Sequence, residues 1–261
     1  NIRRTLMNSP PTNLTLFGTP LSQPVRAVIW LLLMKNELFE LKLMNPGSKG
    51  EIGSRNPDFL KKNPNGTIPF LEDNETGIAI AESHAILIYL CRKYNWHDLY
   101  PIDPTRSAKI DWYLHSHHRG IRDASLAFFA PNVRKDLDFP ELFIDTAKKM
   151  FGRSLKSLET FWLEKSRFIA GDDLSIADLA AYVEVGQLRP EFTNLFDFKP
   201  FPNVRRWLAD MTRINSHDVS HTSLTILGDI SKESPAVQNI IDANKLGYKS
   251  IMSSQSDTDN E

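Results

Sequence analysis

An α/β domain built on a small mixed sheet, followed by an all-α domain, is the fold class this 261-residue sequence predicts. Three observations carry that expectation. Strand-like alternation and helical periods interleave through residues 13–97. Strand signals nearly vanish after Tyr100-Pro101-Ile102-Asp103-Pro104, a segment with two prolines. Beyond it apolar residues recur at helical spacing, as in Ile144, Ala147, Phe151, Leu155, Leu158 and Trp162. The expected organisation is a leader over 1–12, an α/β domain over 13–97, a linker over 98–107 and a helical domain over 108–230. An extension over 231–261 follows, weakly patterned, with an acidic disordered end.

The run Asn13-Leu14-Thr15-Leu16-Phe17-Gly18 alternates and is closed by Gly and Pro, as a strand would be. Gln23-Pro24-Val25-Arg26 opens a helix, because a proline's fixed φ suits the first turn, and the apolar stretch to Met34 continues it. Phe39 to Met44 alternates again and reads as a second strand. An irregular segment with Pro46, Gly47, Gly50, Gly53 and Pro57 leads into Asn63-Pro64-Asn65-Gly66-Thr67-Ile68-Pro69. Phe70-Leu71-Glu72-Asp73 and Ile78-Ala79-Ile80, joined by a turn over Asn74 to Gly77, read as a hairpin. Glu82-Ser83 then starts a helix that ends around Tyr94-Asn95. A strand–helix–strand unit followed by a hairpin and a helix suits a mixed sheet with helices on both faces.

Composition narrows the function classes. Apolar residues are 41% and charged residues 24%, an ordinary globular mixture. Thirty-one Lys and Arg against thirty-two Asp and Glu leave a net charge of −1, so no basic excess points to nucleic acid. A single cysteine, Cys91, excludes an internal disulfide framework and any CxxC site; set among apolar residues in a helix, it reads as core. The longest apolar run, Ala27 to Met34, is far short of the ~20 residues a membrane-spanning helix needs. A soluble, cytoplasmic protein is expected. The leader carries Arg3 and Arg4 and no acid, a composition compatible with organellar import, and lacks the apolar core of a secretory signal.

In the helical half, Ala170-Gly171-Asp172-Asp173-Leu174-Ser175-Ile176-Ala177-Asp178-Leu179 is the most informative segment. Ser175 and Asp178 have the spacing of a capping box, and Leu174 and Leu179 that of a hydrophobic staple. The apolar run after it predicts a buried central helix.

Taken with Asn63 to Pro69 and Ala81-Glu82-Ser83, that segment resembles the glutathione S-transferase superfamily across roughly Leu14 to Asp229. Ser22-Gln23-Pro24-Val25-Arg26-Ala27-Val28 looks most like the theta class and the bacterial dichloromethane dehalogenases near it. The resemblance implies a thioredoxin-like N-terminal domain of βαβ-ββα order with a four-stranded sheet. It also implies a homodimer, and glutathione as co-substrate at one site per subunit.

Ser22 begins a helix whose free amides and partial positive charge favour an anion; it is at least the N-cap, and the resemblance makes it the residue that activates the glutathione thiol. Thr19 is the second candidate hydroxyl. No nearby histidine is spaced to act as a general base, which favours thiol activation over a serine-hydrolase mechanism. The resemblance further assigns glutathione contacts to Gln23, Thr67, Ile68, Pro69, Glu82 and Ser83. Pro69 would follow a cis bond, and the Ile68 backbone would pair with the cysteinyl unit like an added strand. Ser83 and the amides beside it would hold the γ-glutamyl carboxylate, and Glu82 the ammonium. Where many relatives carry a histidine for the glycine carboxylate, this chain has Ser54, flanked by Lys49 and Arg55; where theta relatives carry a lysine, it has Thr67.

Arg119 and Arg122 fall on a helix expected to begin near Ala108, and Arg122 matches an arginine that approaches the sulfur in theta relatives. With Phe128 and Phe129 they are the expected lining of a pocket for a small electrophile. His115, His117 and His118 lack an acid or cysteine to complete a metal site, so no metal is expected. The alternative to a transferase of alkyl halides, epoxides or peroxides is a non-catalytic dimerisation or docking module on the same fold.

Overall fold

The computed structural model describes residues 12–256. All of the predicted leader but Thr12, and the acidic end beyond Ser256, lie outside the described residues. The N-terminal half contains strands β1 (Leu14–Gly18), β2 (Phe39–Leu43), β3 (Phe70–Asp73) and β4 (Ile78–Ala81) and helices α1 (Gln23–Met34), α2 (Pro57–Lys62) and α3 (Ser83–Lys93). The sheet order is β2-β1-β3-β4. β1 pairs parallel with β2, in register Leu16↔Leu41, and antiparallel with β3, in register Leu16↔Leu71. A strand with both neighbours and helices over both faces should be apolar throughout, and all five residues of β1 are buried. The edge strand β2 alternates instead: Phe39 and Leu41 are buried, Glu40 and Lys42 exposed.

The second half is helical: α4 (Pro104–His117), α5 (Ala130–Val133), α6 (Glu141–Ser157), α7 (Ile176–Val185), α8 (Pro202–Met211), α9 (His217–Leu227) and α10 (Val237–Ser256). Among the described residues no helix is long and apolar enough to cross a membrane. All ten residues of α7 are buried. The amide and hydroxyl of Ser175 donate to Asp178 Oδ2, at 3.0 and 2.9 Å. Asp178 Oδ1 accepts from the Ile169 amide at 2.9 Å and Trp207 Nε1 at 3.0 Å, so one carboxylate ties three segments of the helical half together. Burial raises the Asp178 pKa to about 6 even though four hydrogen bonds oppose it.

Two expectations are corrected here. The helix expected from near Ala108 begins at Pro104, where Asp103 accepts from the Arg106 amide at 2.9 Å, and it stops at His117. Arg119 and Arg122 therefore stand in the bend at 118–122, not on α4. Gly120 in that bend lies so close to α6 that a Cβ would come within 1.9 Å of Ser154 Oγ. The extension, expected to be weakly patterned, forms the 20-residue α10 against α9. Its buried stripe is Ala243, Gly247, Ile251 and Gln255, spaced four apart. Gly and Gln in that stripe hide the period from an apolar count. Gln255 Oε1 accepts from the Phe39 amide at 2.8 Å and so docks the helix end on the edge of the sheet.

Candidate active site

The loop from β1 to α1 is held from several sides. The Ser22 amide donates to Thr19 O at 3.0 Å. Arg26, one turn into α1 and fully buried, donates from Nη1 to Leu21 O at 2.6 Å and Pro20 O at 3.3 Å. Burial lowers the Arg26 pKa to about 9, which leaves it cationic at neutral pH. Ser223 Oγ donates to Pro20 O at 3.0 Å. Thr19 Oγ1 donates to Asn244 Oδ1 at 2.5 Å, and the Leu21 amide reaches the same oxygen at 3.0 Å. Ser22 is the exception. It occupies the N-cap position with extended backbone (φ −74°, ψ 124°), yet its side chain does not cap. A serine at that position ordinarily accepts from a first-turn amide. Here Pro24 removes one of those donors, and the Ser22 hydroxyl has no hydrogen-bond partner among the described residues.

Next to the start of α1 lies a cavity of about 180 Å³. Pro24 and Ala27 of α1, the turn Thr67-Ile68-Pro69 and the α3 start at Glu82, Ser83 and His84 form its upper walls. His117, His118 and Arg122, with Ala180, Val183 and Glu184 of α7, form the rest. The Ile68–Pro69 bond is cis. Asn63 Nδ2 braces that turn by donating to Thr67 O at 2.8 Å. Neither the amide nor the carbonyl of Ile68 is used by another described residue. Glu82 sits at φ +69°, a conformation that costs a non-glycine residue about 1–3 kcal/mol, and it is exposed with no ion pair among the described residues. The Ser83 hydroxyl, in a residue 8% exposed, is likewise uncommitted. The Ile68 backbone, the Glu82 carboxylate and the Ser83 hydroxyl therefore border one cavity without partners among the described residues, and Ser83 is the buried one, where an unpaired polar group calls for an explanation.

The floor is charged and crowded. Arg122 Nη1 donates to Glu184 Oε1 at 2.7 Å and Gln23 Oε1 at 3.3 Å. Burial pushes the Glu184 carboxyl up to about 7, against the pull of Arg122 and Arg26. Burial likewise drops His84 to about 3 and takes His117 well below its usual value. Both are neutral imidazoles, packed edge-on with ring centres 4.8 Å apart.

Of the residues expected from sequence, Thr67, Ile68, Pro69, Glu82, Ser83 and Arg122 line this cavity, and Ser22 stands at the start of the same helix as Pro24 without itself lining it. Five others do not present side chains there. Gln23 is turned into the domain interface, where Nε2 donates to Gln187 Oε1 at 2.8 Å. Ser54 is fully buried, and its hydroxyl closes the crossover by accepting from the Gly47 amide at 2.9 Å. Arg119 is exposed and lies outside the cavity. Phe128 packs on Phe151 and Phe196 at 5.5 Å, and Phe129 is buried in a cluster with Leu21, Phe192 and Leu224. His84 and Glu184 also line the cavity without having been expected there, and His117 and His118, weighed above only as metal ligands, line it too. Glu184 left a signal as a lone acid in the apolar run of α7. Among the described residues no group of three or more His, Cys, Asp or Glu could hold a metal ion.

A cis-proline turn beside the start of α3, on a β2-β1-β3-β4 sheet and with a helical domain closing the cavity between them, is the arrangement of a glutathione transferase. Residues 16–119 match the N-terminal domain of glutathione S-transferase and residues 118–210 its C-terminal domain. The chain is 33% identical over 204 residues to glutathione S-transferase D7 of Drosophila melanogaster, covering 77% of this chain and 85% of that one. It is 31% identical over 209 residues to glutathione S-transferase T2 of Arabidopsis thaliana, covering 75% of this chain but 34% of that longer one. The structure of human glutathione transferase theta-2, solved in complex with glutathione and an unknown ligand, aligns with a TM-score of 0.69 at 25% identity, covering 92% of this chain and 98% of that one. The chain belongs to the glutathione S-transferase family and is a theta-like transferase.

Proposed function

We propose that Ser22 holds the thiol of glutathione as thiolate, and that the protein delivers this nucleophile to small hydrophobic electrophiles such as alkyl halides, epoxides or peroxides. One observation carries the assignment. Of the two hydroxyls in the β1–α1 loop, that of Thr19 is spent on Asn244, while that of Ser22 is uncommitted at a helix start that no side chain caps. A free thiol titrates near ~8.5. Bringing it to about 7 requires roughly 2 kcal/mol in favour of the anion. One hydrogen bond to a charged acceptor contributes about 1.5–3 kcal/mol, and a helix start adds about 0.3–1 kcal/mol. The two together suffice without a base.

The uncommitted backbone of Ile68 takes the cysteinyl unit as an added strand. The Ser83 hydroxyl and the α3 amides take the γ-glutamyl carboxylate, and Glu82 its ammonium. With Ser54 spent, the glycine carboxylate is left to the exposed Lys49 and Arg55. With a halide or epoxide the sulfur attacks carbon: the carbon–halogen bond breaks and halide leaves, or an epoxide C–O bond opens and its oxygen takes a proton from water. With a peroxide the sulfur attacks oxygen, the O–O bond breaks and the alkoxide takes a proton from water, and a second glutathione converts the sulfenic acid to the disulfide and water. Proximity adds to activation, since both reactants share one cleft. We also infer a homodimer through α4 and α6. Trp112 and Phe161 stand 56% and 58% exposed beside a groove there, a costly exposure for a lone subunit.

The test is Ser22→Ala. The thiolate absorbance of bound glutathione should titrate at higher pH, and turnover should fall at least ~10-fold. Unchanged absorbance and rate would return the role to Thr19 or Arg122. Wild-type protein that is retained on immobilised glutathione yet turns over no halide, epoxide or peroxide would be the docking module instead.

A further inference from the structure

The last helix lies beyond residue 210, where the match to the family's C-terminal domain ends. It nonetheless reaches the loop that presents Ser22. Gly247 makes the approach close: a Cβ there would stand 2.9 Å from Ser223 Cβ and 3.1 Å from Pro20 Cβ. One turn back, Asn244 directs its carboxamide at the loop. Nδ2 donates to Ile240 O at 3.1 Å, which fixes the amide and leaves Oδ1 facing Thr19 and Leu21. Both loop partners are donors, so an oxygen must face them.

We propose that Asn244 is a positioning residue for the thiol chemistry. Its side-chain oxygen orients the Ser22 hydroxyl and decides which of two loop hydroxyls is free. Oδ1 fixes the Leu21 amide from one side while Arg26 holds the Leu21 and Pro20 carbonyls from the other. The peptide groups leading into Ser22 are thus pinned at both poles. The proton of Thr19 is meanwhile committed to the same oxygen and cannot be offered to a sulfur. A hydroxyl on a single bond to such a loop inherits its position from the loop, and displacements near 1 Å cost about 100-fold in rate. The inference rests on Ser22 being the thiolate donor.

The experiment uses the full chain with glutathione bound, read by thiolate absorbance against pH, by kcat and KM, and by thermal melting. Asn244→Ala should raise the pKa of the bound thiol by about half a unit or more and lower kcat about 10-fold, with KM for glutathione changed less than about 2-fold. A thiol pKa and kcat as in the wild type for Asn244→Ala overturn the proposal. If Asn244→Ala does not fold, Thr19→Val decides, since it leaves the Leu21 contact in place. A thiol pKa as in the wild type in that variant supports the clamp, in which the Thr19 hydroxyl is spent on Asn244, and a raised one makes Thr19 a donor to the sulfur and overturns it. Ser22→Ala separates the two readings. No shift in Ser22→Ala removes the Ser22 assignment and the positioning role with it; a shift there with none in Asn244→Ala removes the positioning role alone.

Discussion

Arg122 Nη1 lies 2.7 Å from Glu184 Oε1, while Glu184 Oε2, fully buried, has no hydrogen-bond partner among the described residues. Burial, only partly offset by Arg122 and Arg26, is why the Glu184 carboxyl sits at about 7 rather than 4.5. Its native pKa is the higher one, so the folded state holds the proton that the unfolded chain releases. Its contribution to stability is whole below about pH 4.5 and is lost as pH climbs to about 7. Glu184→Gln has no such loss. Relative to wild type, its melting temperature should rise across that window by several degrees, corresponding to about 3 kcal/mol. A difference that stays flat with pH would show that the carboxyl is already ionised at the acid end.

Histidine burial acts in the opposite direction. Burial holds His84 at about 3 and His117 and His221 well below 6.5. Each native imidazole resists a proton that the unfolded chain accepts. The stability they confer is complete above about 6.5 and falls as pH drops through it. His221 rests between Trp30 and Tyr182 at 5.0 and 5.3 Å, with Nε2 unpartnered. His221→Phe should therefore flatten the acid side of the melting profile between about pH 6.5 and 5. Melting curves as steep as wild type over that range would count against the assignment.

Glu82 couples strain to binding. At φ +69° a glycine would be at ease, so Glu82→Gly should raise stability by about 1 kcal/mol once the added chain entropy is deducted. The same change removes the carboxylate proposed for the ammonium of glutathione. The expected result is a higher melting temperature with a KM for glutathione raised about 10-fold. A variant that is both less stable and unimpaired in binding would contradict both halves.

What was legible in the sequence follows the range of the interactions involved. The β1–α1–β2 unit, the hairpin and the α7 cap were readable because each is written in local spacing. The turn at Ile68-Pro69 and the start of α3 were readable as motifs. The direction of the Gln23 side chain was not readable because it is set by Gln187, 164 residues away. That of Ser54 was not readable because the crossover folds back on its hydroxyl. The aromatics Phe128 and Phe129 look the same in a pocket or a core until their partners are known. The period of α10 is carried partly by Gly247 and Gln255, so a reading keyed to apolar residues passes over it.

The bend at 118–122 supplies the last prediction. It carries His118 and Arg122 into the cavity, and Gly120 allows it because the missing Cβ is where Ser154 sits, with Oγ at 1.9 Å and Cβ at 2.8 Å. The hydroxyl can rotate away, but the Ser154 Cβ cannot without moving α6. Gly120→Ala should therefore destabilise by about 1–3 kcal/mol, the usual range for overpacking. Ser154→Gly vacates both atoms at a helix-propensity cost of about 1 kcal/mol. The double variant should then be less destabilised than the sum of the two single variants, by about 1 kcal/mol or more of coupling. Because Arg122 moves with the bend, Gly120→Ala should also lower turnover, and Ser154→Gly should recover it. Additive energies in the cycle would mean that the bend does not depend on this contact and that Arg122 is placed by its bonds to Glu184 and Gln23.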